Sequence, residues 1–552
     1  MSRTPAKNDP SKVVSSPNPD LAAPTSASAT APAPVYSYDQ VPYQSNPFPQ
    51  SQPEQLAAVA KLFCLNPVLP SRARVLELGC SAGGNIIPLA ARYPDAQFLG
   101  VDLSSVEVAD GQATVKALGL TNIEIRQQDI TELRGQGDEY DYIICHGVYS
   151  WIPDHAQDAV LAIYGECLSE NGVGYISYNT YPGWKLREVI RDAMLYHVDK
   201  IQAPAQRIAQ ARAIFQHIQK ISDPESAFGK FLKSEADILS RSQDSYLFHE
   251  HLESNNHPCY FKDFIARAES HGLAYLGEAA VGDMAPQRFG NETFQTLQQL
   301  SGGNVIATEQ YMDFFRNRTF RQTLLVKQTQ RPRIRRNINQ DSLKPFYLSA
   351  RIVGMEGAAM HSTEETLYKD AAGRTVKLQD PFLKAAMAAL SDALPRPLRF
   401  DEWLRIARIK LSGRDVGGDN DIRLLNEVLV HMSVSGMLSL HIERNGYGRA
   451  EDAHPRVFSP IRYQARLRRD SVTNLRHELV RISDFDRAVL PLLDGSLDTP
   501  ALKDQIVTRA MNREFTVARD NVQIHAEEEL RPAVSGLVDA ALKGYEKNAL
   551  LS

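Results

Sequence analysis

Between positions 75 and 178 the chain alternates short apolar runs with longer amphipathic ones, and a glycine-rich turn follows the first run. Strands are predicted at 75–78, 97–101, 123–127, 140–145 and 173–178, with helices at 85–92, 106–118 and 156–168. Successive parallel strands need a crossover, and a crossover helix packs back onto the sheet, so this order requires βαβ units with helices on both faces. A charged, mostly helical interval follows at 186–271, and strand signals return at 273–277 and 319–327. The expected fold class is therefore α/β: a Rossmann-like sheet interrupted by a helical insertion at about residues 185–272.

A chain of 552 residues exceeds what one core can organise. Residues 1–35 are rich in Ala, Pro, Ser and Thr and nearly free of large apolar side chains, so a disordered tail is expected there. The sheet domain is assigned to 36–330, and the basic run Arg331-Pro332-Arg333-Ile334-Arg335-Arg336 opens a linker at 331–375. Helical patterns at 382–390, 400–411 and 422–437 and a strand at 438–442 suggest a first winged-helix-like module at 376–470, with a second at 471–552. No run is apolar enough for a signal peptide or a bilayer span, and the five cysteines form no C-x-x-C pair. The expectation is a cytoplasmic protein with reduced thiols and no membrane insertion. A net charge of -5, with 34 basic against 30 acidic residues after Gln330, makes a nucleic-acid partner unlikely, because such proteins concentrate positive charge.

Gly79-Cys80-Ser81-Ala82-Gly83 can be read as G-x-S-x-G, the turn that exposes a nucleophilic serine in α/β-hydrolases. Position argues against it. The turn follows the first strand of the sheet with no oxyanion segment before it, and the base would have to be His146 or His155 of the same half-sheet. A dinucleotide cradle wants G-x-G-x-x-G, whereas Ser81 stands where the second glycine belongs. Three acids remain, each at or near the end of a successive strand: Glu77, Asp102 and Asp129. They share the carboxyl edge where open α/β sheets bind ligands. Glu77 suits a charged amino group or holds the loop, Asp102 suits ribose hydroxyls, and Asp129 can accept from an adenine amino group. S-adenosylmethionine (SAM) carries all three.

Glu77-Leu78-Gly79-Cys80-Ser81-Ala82-Gly83-Gly84-Asn85, the strand ending in Asp102, and 141–151 resemble the class I SAM-dependent methyltransferases. With Tyr38-Asp39-Gln40-Val41-Pro42-Tyr43, 177–184, 249–261 and 317–325, the likeness narrows to bacterial members that carry a methyltransferase regulatory domain, among them rickettsial lysine methyltransferases of outer-membrane protein. The resemblance implies winged-helix-like modules behind the catalytic domain. It also implies a cofactor site of Tyr38, Tyr43, Glu77, Gly79, Cys80, Ser81, Gly83, Asn85, Asp102, Leu103, Gln128, Asp129, Ile130, His146 and Gly147.

Methyl transfer is an in-line displacement, so the protein must align a nucleophile and exclude water. The ends of the fourth and fifth strands are expected to do this through His146, Tyr149, Trp151, Asn179, Tyr181 and Trp184, the aromatic rings guiding an amine by cation–π attraction. Tyr38 and Tyr43 are read as a lid. His249, His251, His257 and Cys259 lack metal-site spacing, so no metal is expected. The leading expectation is methylation of protein lysines. The alternatives are a small-molecule or cell-surface acceptor, or a SAM-binding regulator without turnover. Oligomeric state is left open, a homodimer among the options. A chain cut near Arg331 is expected, if it stays folded, to bind the cofactor almost normally and to lose methylation of protein substrate.

Overall fold

The computed structural model describes residues 37–552 except 42–44, 136, 355–359, 412–418, 445 and 520–521. The expected tail, Tyr43 and the side chain of Tyr38 therefore lie outside the described residues. The sheet has seven strands: β1 Arg74–Leu78, β2 Gln97–Asp102, β3 Ile123–Gln127, β4 Tyr140–Cys145, β5 Leu168–Asn179, β6 Leu273–Glu278 and β7 Phe320–Lys327. Their order is β3-β2-β1-β4-β5-β7-β6. The first five are parallel, and β7 runs antiparallel to both β5 and β6. The first residues of β7 thus lie beside the last of β5, with Phe320 opposite Asn179 and Arg321 opposite Tyr178.

Central strands covered on both faces read as continuous apolar runs, and β1 buries all but its first residue. Alternate residues supply the two faces. Val75, Tyr142, Ile144, Tyr175, Leu324 and Val326 pack against the helix Pro53–Leu62 on one side. Leu76, Leu78, Ile143, Ile176 and Leu325 meet the helices Asp154–Cys167 and Phe261–Ser270 on the other. The helix Ser105–Leu118 begins where the Ser104 hydroxyl accepts from Glu107 N–H and ends at Gly119, in left-handed backbone. Between β5 and β6 come the helices Trp184–Val198, Pro204–Ile221, Ala227–Arg241, Asp244–His251 and Phe261–Ser270, several of which share a small core of their own around Met194, Phe215 and Leu247.

The stretch expected as a linker is structured. Strands occur at Tyr347–Ser349, Ile352–Gly354, Thr366–Asp370 and Thr375–Leu378. The first pairs antiparallel with both Leu398–Arg399 and Ser439–His441, which ties this stretch to the helices Pro381–Asp392, Phe400–Lys410 and Asp419–Ser435. Three-residue strands are too short to show a period in sequence. The last module also begins earlier than expected, since its core includes Val457, Phe458 and Ile461 and Val457 bridges to Leu551.

Nor is the middle module a separate body. The apolar cluster on the Pro53–Leu62 face of the sheet runs on into Trp403, Leu425, Leu429 and Leu438. Glu54 ties that helix to His441 at 3.1 Å and to Arg92 at 2.8 Å. Cutting near Arg331 would uncover this face, so the fragment is not expected to stay folded, which was the condition for ordinary cofactor affinity. Among the described residues no helix is long and apolar enough to cross a membrane.

Candidate functional site

The turn after β1 passes through left-handed backbone at Gly79 (φ 73), Ser81 (φ 49) and Gly83 (φ 74). A side chain on Gly79 would meet Val148 Cγ2 at 2.4 Å, and one on Gly84 would meet the Ser45 carbonyl oxygen at 2.3 Å. Gly84 needs glycine because other backbone lies against it, and Gly79 because its backbone is left-handed and the Val148 side chain fills the space. Ser81 N–H donates to Asp102 Oδ2 at 2.8 Å, Ser104 N–H donates to Asp102 Oδ1 at 2.9 Å, and the Ser81 hydroxyl donates to Glu107 Oε2 at 2.9 Å. Thus Ser81 serves a carboxylate lattice, and the histidine proposed as its base is engaged elsewhere. His146 Nδ1 lies 2.8 Å from the Tyr175 hydroxyl and 3.3 Å from that of Ser177.

Glu77 ends its run inside the protein. Asn85 Nδ2 donates to its Oε1 at 2.8 Å, while Oε2 is buried without a partner. Burial, only partly offset by Asn85 and reinforced by Asp102, carries this carboxyl up to about 8. Burial also raises Asp102, against the pull of the backbone N–H groups of Ser104 and Ser81. The buried Cys80 thiol is pushed well up by its burial and by Glu77 and Asp102, so it is inert. Beyond Asp102, Leu103 is 45% exposed, an apolar side chain at the sheet edge without a cover. Gln128 N–H donates to Asp102 O at 3.0 Å. Asp129 caps the turn Ile130–Leu133, accepting from Thr131 N–H at 2.8 Å and from its hydroxyl at 2.7 Å. Gly147, in left-handed backbone, donates to Ser177 Oγ at 2.8 Å. Burial lowers His146 to about 4, which leaves its ring neutral at ordinary pH.

The segment that begins at Ser45 runs across this edge. Ser45 Oγ accepts from Gly84 N–H at 2.7 Å, Phe48 N–H donates to Asn85 Oδ1 at 2.9 Å, and the Phe48 ring lies 3.7 Å from that of His146. Asp39 accepts from the Ser104 hydroxyl at 2.6 Å. Sequence reasoning sought this cover in Tyr38 and Tyr43 and missed Asp39, Ser45 and Phe48; the close approach at Gly84 was the available signal.

The expected aromatic mouth divides. Tyr149, 1% exposed, packs edge-on against Phe264 at 5.4 Å and Tyr178 at 6.2 Å, inside the core rather than at the edge. Trp184, fully buried, starts the first helix of the insertion and meets Trp151 edge-on at 6.0 Å. For both rings the catalytic assignment gives way to packing, because a bulky apolar ring gains more from close contact than from solvent. Asn179 is buried, donating from its backbone to Ser150 Oγ at 2.8 Å and from Nδ2 to Asn256 Oδ1 at 3.0 Å. That fixes the end of β5 and gives Asn179 a structural task. Trp151 and Tyr181 stay partly exposed. Tyr181 donates to Glu188 and carries Lys185 Nζ 4.0 Å above its ring, so an ammonium already rests on this face.

The sequence reading also missed a buried ion network at the same edge. Arg321 donates to Asp313 at 2.8 Å, Glu309 at 3.0 Å and Glu278 at 2.8 Å, and Arg318 donates to Glu278 at 2.8 Å. Burial works against the charge on Glu278, yet Arg318 and Arg321 outweigh it and hold the carboxyl below its ordinary range; at Glu309 burial prevails and carries it to about 7. The network's charged residues come from separate stretches of the chain, and no local pattern in the sequence marks them. His249, once weighed as a metal ligand, instead contacts Glu253 at 3.1 Å and Val41 O at 2.7 Å.

Against known families, residues 75–172 match the methyltransferase domain, 243–327 the predicted methyltransferase regulatory domain, and 453–550 the PKMT C-terminal winged helix domain. The uncharacterized protein RP789 of Rickettsia prowazekii is 35% identical over 525 residues, 93% of each chain. The structure of PKMT2 from Rickettsia typhi in complex with AdoHcy superposes with a TM-score of 0.84 at 29% identity, covering 92% of this chain and 100% of that one. The trans-aconitate 2-methyltransferase of Deinococcus radiodurans is 35% identical over only 111 residues, 20% of this chain and 40% of that one.

Proposed function

Because the chain belongs to the bacterial class I SAM-dependent methyltransferases that carry a methyltransferase regulatory domain, we propose that it transfers methyl groups to lysine side chains of a protein. The residues present fit the cofactor. Glu77 Oε2, buried and unpartnered, offers the missing acceptor for an ammonium. Asp102 keeps lone pairs for ribose hydroxyls beside its two backbone donors. Leu103 and Ile130 flank the edge with apolar surface for adenine, Asp129 and Gln128 offer polar atoms to its rim, and Gly79 to Gly83 supply bare backbone. When bound, the cofactor supplies an electrophilic methyl group on sulfonium sulfur.

The chain's own residues have three tasks. Asp102 and Glu107, joined by Glu77 once it releases its proton, give the edge a negative field that attracts a cation, and the attraction ends when the positive charge is lost. Phe48 lies over His146 and excludes water from the end of β4. The partly exposed Trp151 receives the incoming amine, which must be neutral to attack, and neutral His146 can accept a hydrogen bond without adding a competing charge.

The extent of the likeness carries the protein-lysine reading. PKMT2 is matched across the insertion and the C-terminal modules as well as the cofactor fold, whereas the small-molecule methyltransferase shares only part of the cofactor fold. Incubating the full chain with methyl-labelled SAM and cell extract should place acid-stable label on methyl-lysine in a protein fraction. Label confined to small molecules, or none despite cofactor binding, would sink this reading in favour of a small-molecule enzyme or a non-catalytic regulator.

A further inference from the structure

The last module reaches the cofactor edge through one side chain. The strands Ser471–Thr473 and Leu479–Arg481 are joined by Asn474-Leu475-Arg476-His477-Glu478, with His477 in left-handed backbone (φ 63) and 2% exposed. His477 Nε2 lies 2.7 Å from Asn85 Oδ1. Asn85 is the residue whose Nδ2 donates to Glu77 Oε1. The orientation of this amide follows from its partners: Phe48 N–H can only donate, so it faces Oδ1, and the Glu77 carboxylate faces the amide NH2. The Nε2 of His477 must then carry its hydrogen and donate.

The turn presenting His477 is itself fastened. Asn474 Oδ1 accepts from Arg476 N–H at 2.9 Å and Glu478 N–H at 2.8 Å, while its Nδ2 donates to Asn548 O at 2.9 Å. Glu478 accepts from Arg476 at 3.0 Å and from Arg351 of the middle module at 3.2 Å. This arrangement holds one imidazole in a strained conformation and aims it at one amide. Packing alone asks for less, since an apolar side chain could fill the same space without a buried polar pair.

We infer that His477 is a positioning residue for the cofactor's amino-acid tail: through Asn85 it holds Glu77 where the tail's ammonium is received, so the winged-helix module completes the cofactor site. The inference rests on the proposed pairing of Glu77 with that ammonium. Asn85 Oδ1 accepts from both Phe48 N–H and His477 Nε2, so the segment crossing the site and the distant module converge on one side chain. Disturbing His477 should therefore be felt by ligands that possess the tail and not by ligands that lack it.

The test uses the full chain and two ligands. S-adenosylhomocysteine has the tail; 5′-methylthioadenosine keeps the adenine, ribose and sulfur without it. Three variants separate reach from backbone strain. His477→Gln carries an NH2 at roughly the reach of Nε2. His477→Asn tolerates left-handed backbone better but ends one bond short. His477→Leu removes the donor. Calorimetric titration should show S-adenosylhomocysteine weakened about tenfold in the Asn and Leu variants and largely restored in Gln, as expected for one buried hydrogen bond, with 5′-methylthioadenosine within about twofold throughout. Equal loss on both ligands, no loss on either, or tighter binding by Asn than by Gln overturns the inference. Glu77→Gln is titrated alongside. If it loses the preference for the tailed ligand while the His477 variants keep it, the positioning role alone fails. If it keeps the preference, the Glu77 pairing fails, and the route from His477 fails with it.

Discussion

Two sets of buried carboxylates stand on the same edge of one sheet, and the chain treats them in opposite ways. At the β6–β7 side, Glu278, Glu309 and Asp313 surround Arg321, with Arg318 adding a second donor to Glu278. At the β1–β2 side, Glu77 and Asp102 have only neutral donors among their nearest partners, and one oxygen of Glu77 has none. Residue type does not separate a structural cluster from a binding site. Provision of the countercharge does. Where the chain brings its own cation the cluster is finished; where it does not, the proposed function has the cation arrive with the ligand.

The largest effect should come from the finished cluster. Arg321→Met leaves three carboxylates buried around an apolar side chain, and removing one partner of such a network costs about 3–5 kcal/mol. Thermal unfolding should show a large fall in Tm or no folded protein, whereas Glu77→Gln should leave Tm unchanged or slightly raised because it removes a carboxyl that the fold must keep protonated well above its ordinary range. Similar Tm values for Arg321→Met and wild type would erase the contrast between the two sides.

Next in size is the cofactor. Glu77→Gln and Asp102→Ala should each weaken SAM by about 1–3 kcal/mol, the range for a lost charge-assisted hydrogen bond. Asp102→Ala should also lower Tm, because Ser81 and Ser104 N–H lose their acceptor. Calorimetry on both variants checks this; wild-type affinity in either one removes that residue from the site.

A pH effect follows from the unmatched charge. Free Glu77 holds its proton up to about pH 8, above its ordinary 4.5, and must release it to receive an ammonium. The cofactor's α-amino group itself titrates at about 7.7–8.0. Below that range binding expels a proton and affinity should climb by up to about tenfold per pH unit; above it the ammonium is lost and affinity should fall. Titrations at pH 7 in buffers of different ionisation enthalpy should report close to one proton released, and none in Glu77→Gln. Without ligand the sign for stability is opposite. The folded state binds the proton more tightly, so Glu77 makes the fold less stable as pH rises from 4.5 to about 8.

The finished cluster and the open one also differ in how legible they were. The alternation of strands and helices, the insertion and the three acids at successive strand ends could be read because each rests on local pattern: a period, a glycine turn, a carboxylate at a strand terminus. Arg321 stands in the polar first half of its strand beside Gln322 and Thr323, its partners come from β6 and the helix Val305–Arg316, and no spacing announces that meeting. His477 lies 392 positions from the amide it contacts. Tyr149 and Trp184 were misread because an aromatic residue at the end of a strand looks the same in sequence whether its ring turns outward or into the core. The linker was misread because its strands run to only three to five residues, and one of them, Tyr347–Ser349, gains its partners from residues 398–399 and 439–441.

The smallest effect is expected at Ser81, where the open cluster meets the glycine turn. Its backbone is left-handed, which costs a non-glycine residue about 1–2 kcal/mol, so glycine relieves strain there. Against this, Ser81→Gly gives up the hydroxyl bond to Glu107, worth about 0.5–1.5 kcal/mol net, and adds freedom to the unfolded chain worth about 0.4–1 kcal/mol. The contributions nearly cancel, and the Ser81 N–H that holds Asp102 is kept. Stability should therefore change by less than about 1 kcal/mol, and SAM affinity should stay within a few-fold of wild type. Fluorophosphonates should leave the wild-type serine unlabelled, since its hydroxyl donates to a carboxylate and no histidine is poised to take its proton. Stoichiometric labelling at Ser81, or loss of methyl transfer in Ser81→Gly with binding intact, would show the side chain itself taking part in chemistry and remove the reading of this turn as a cradle of backbone and carboxylates.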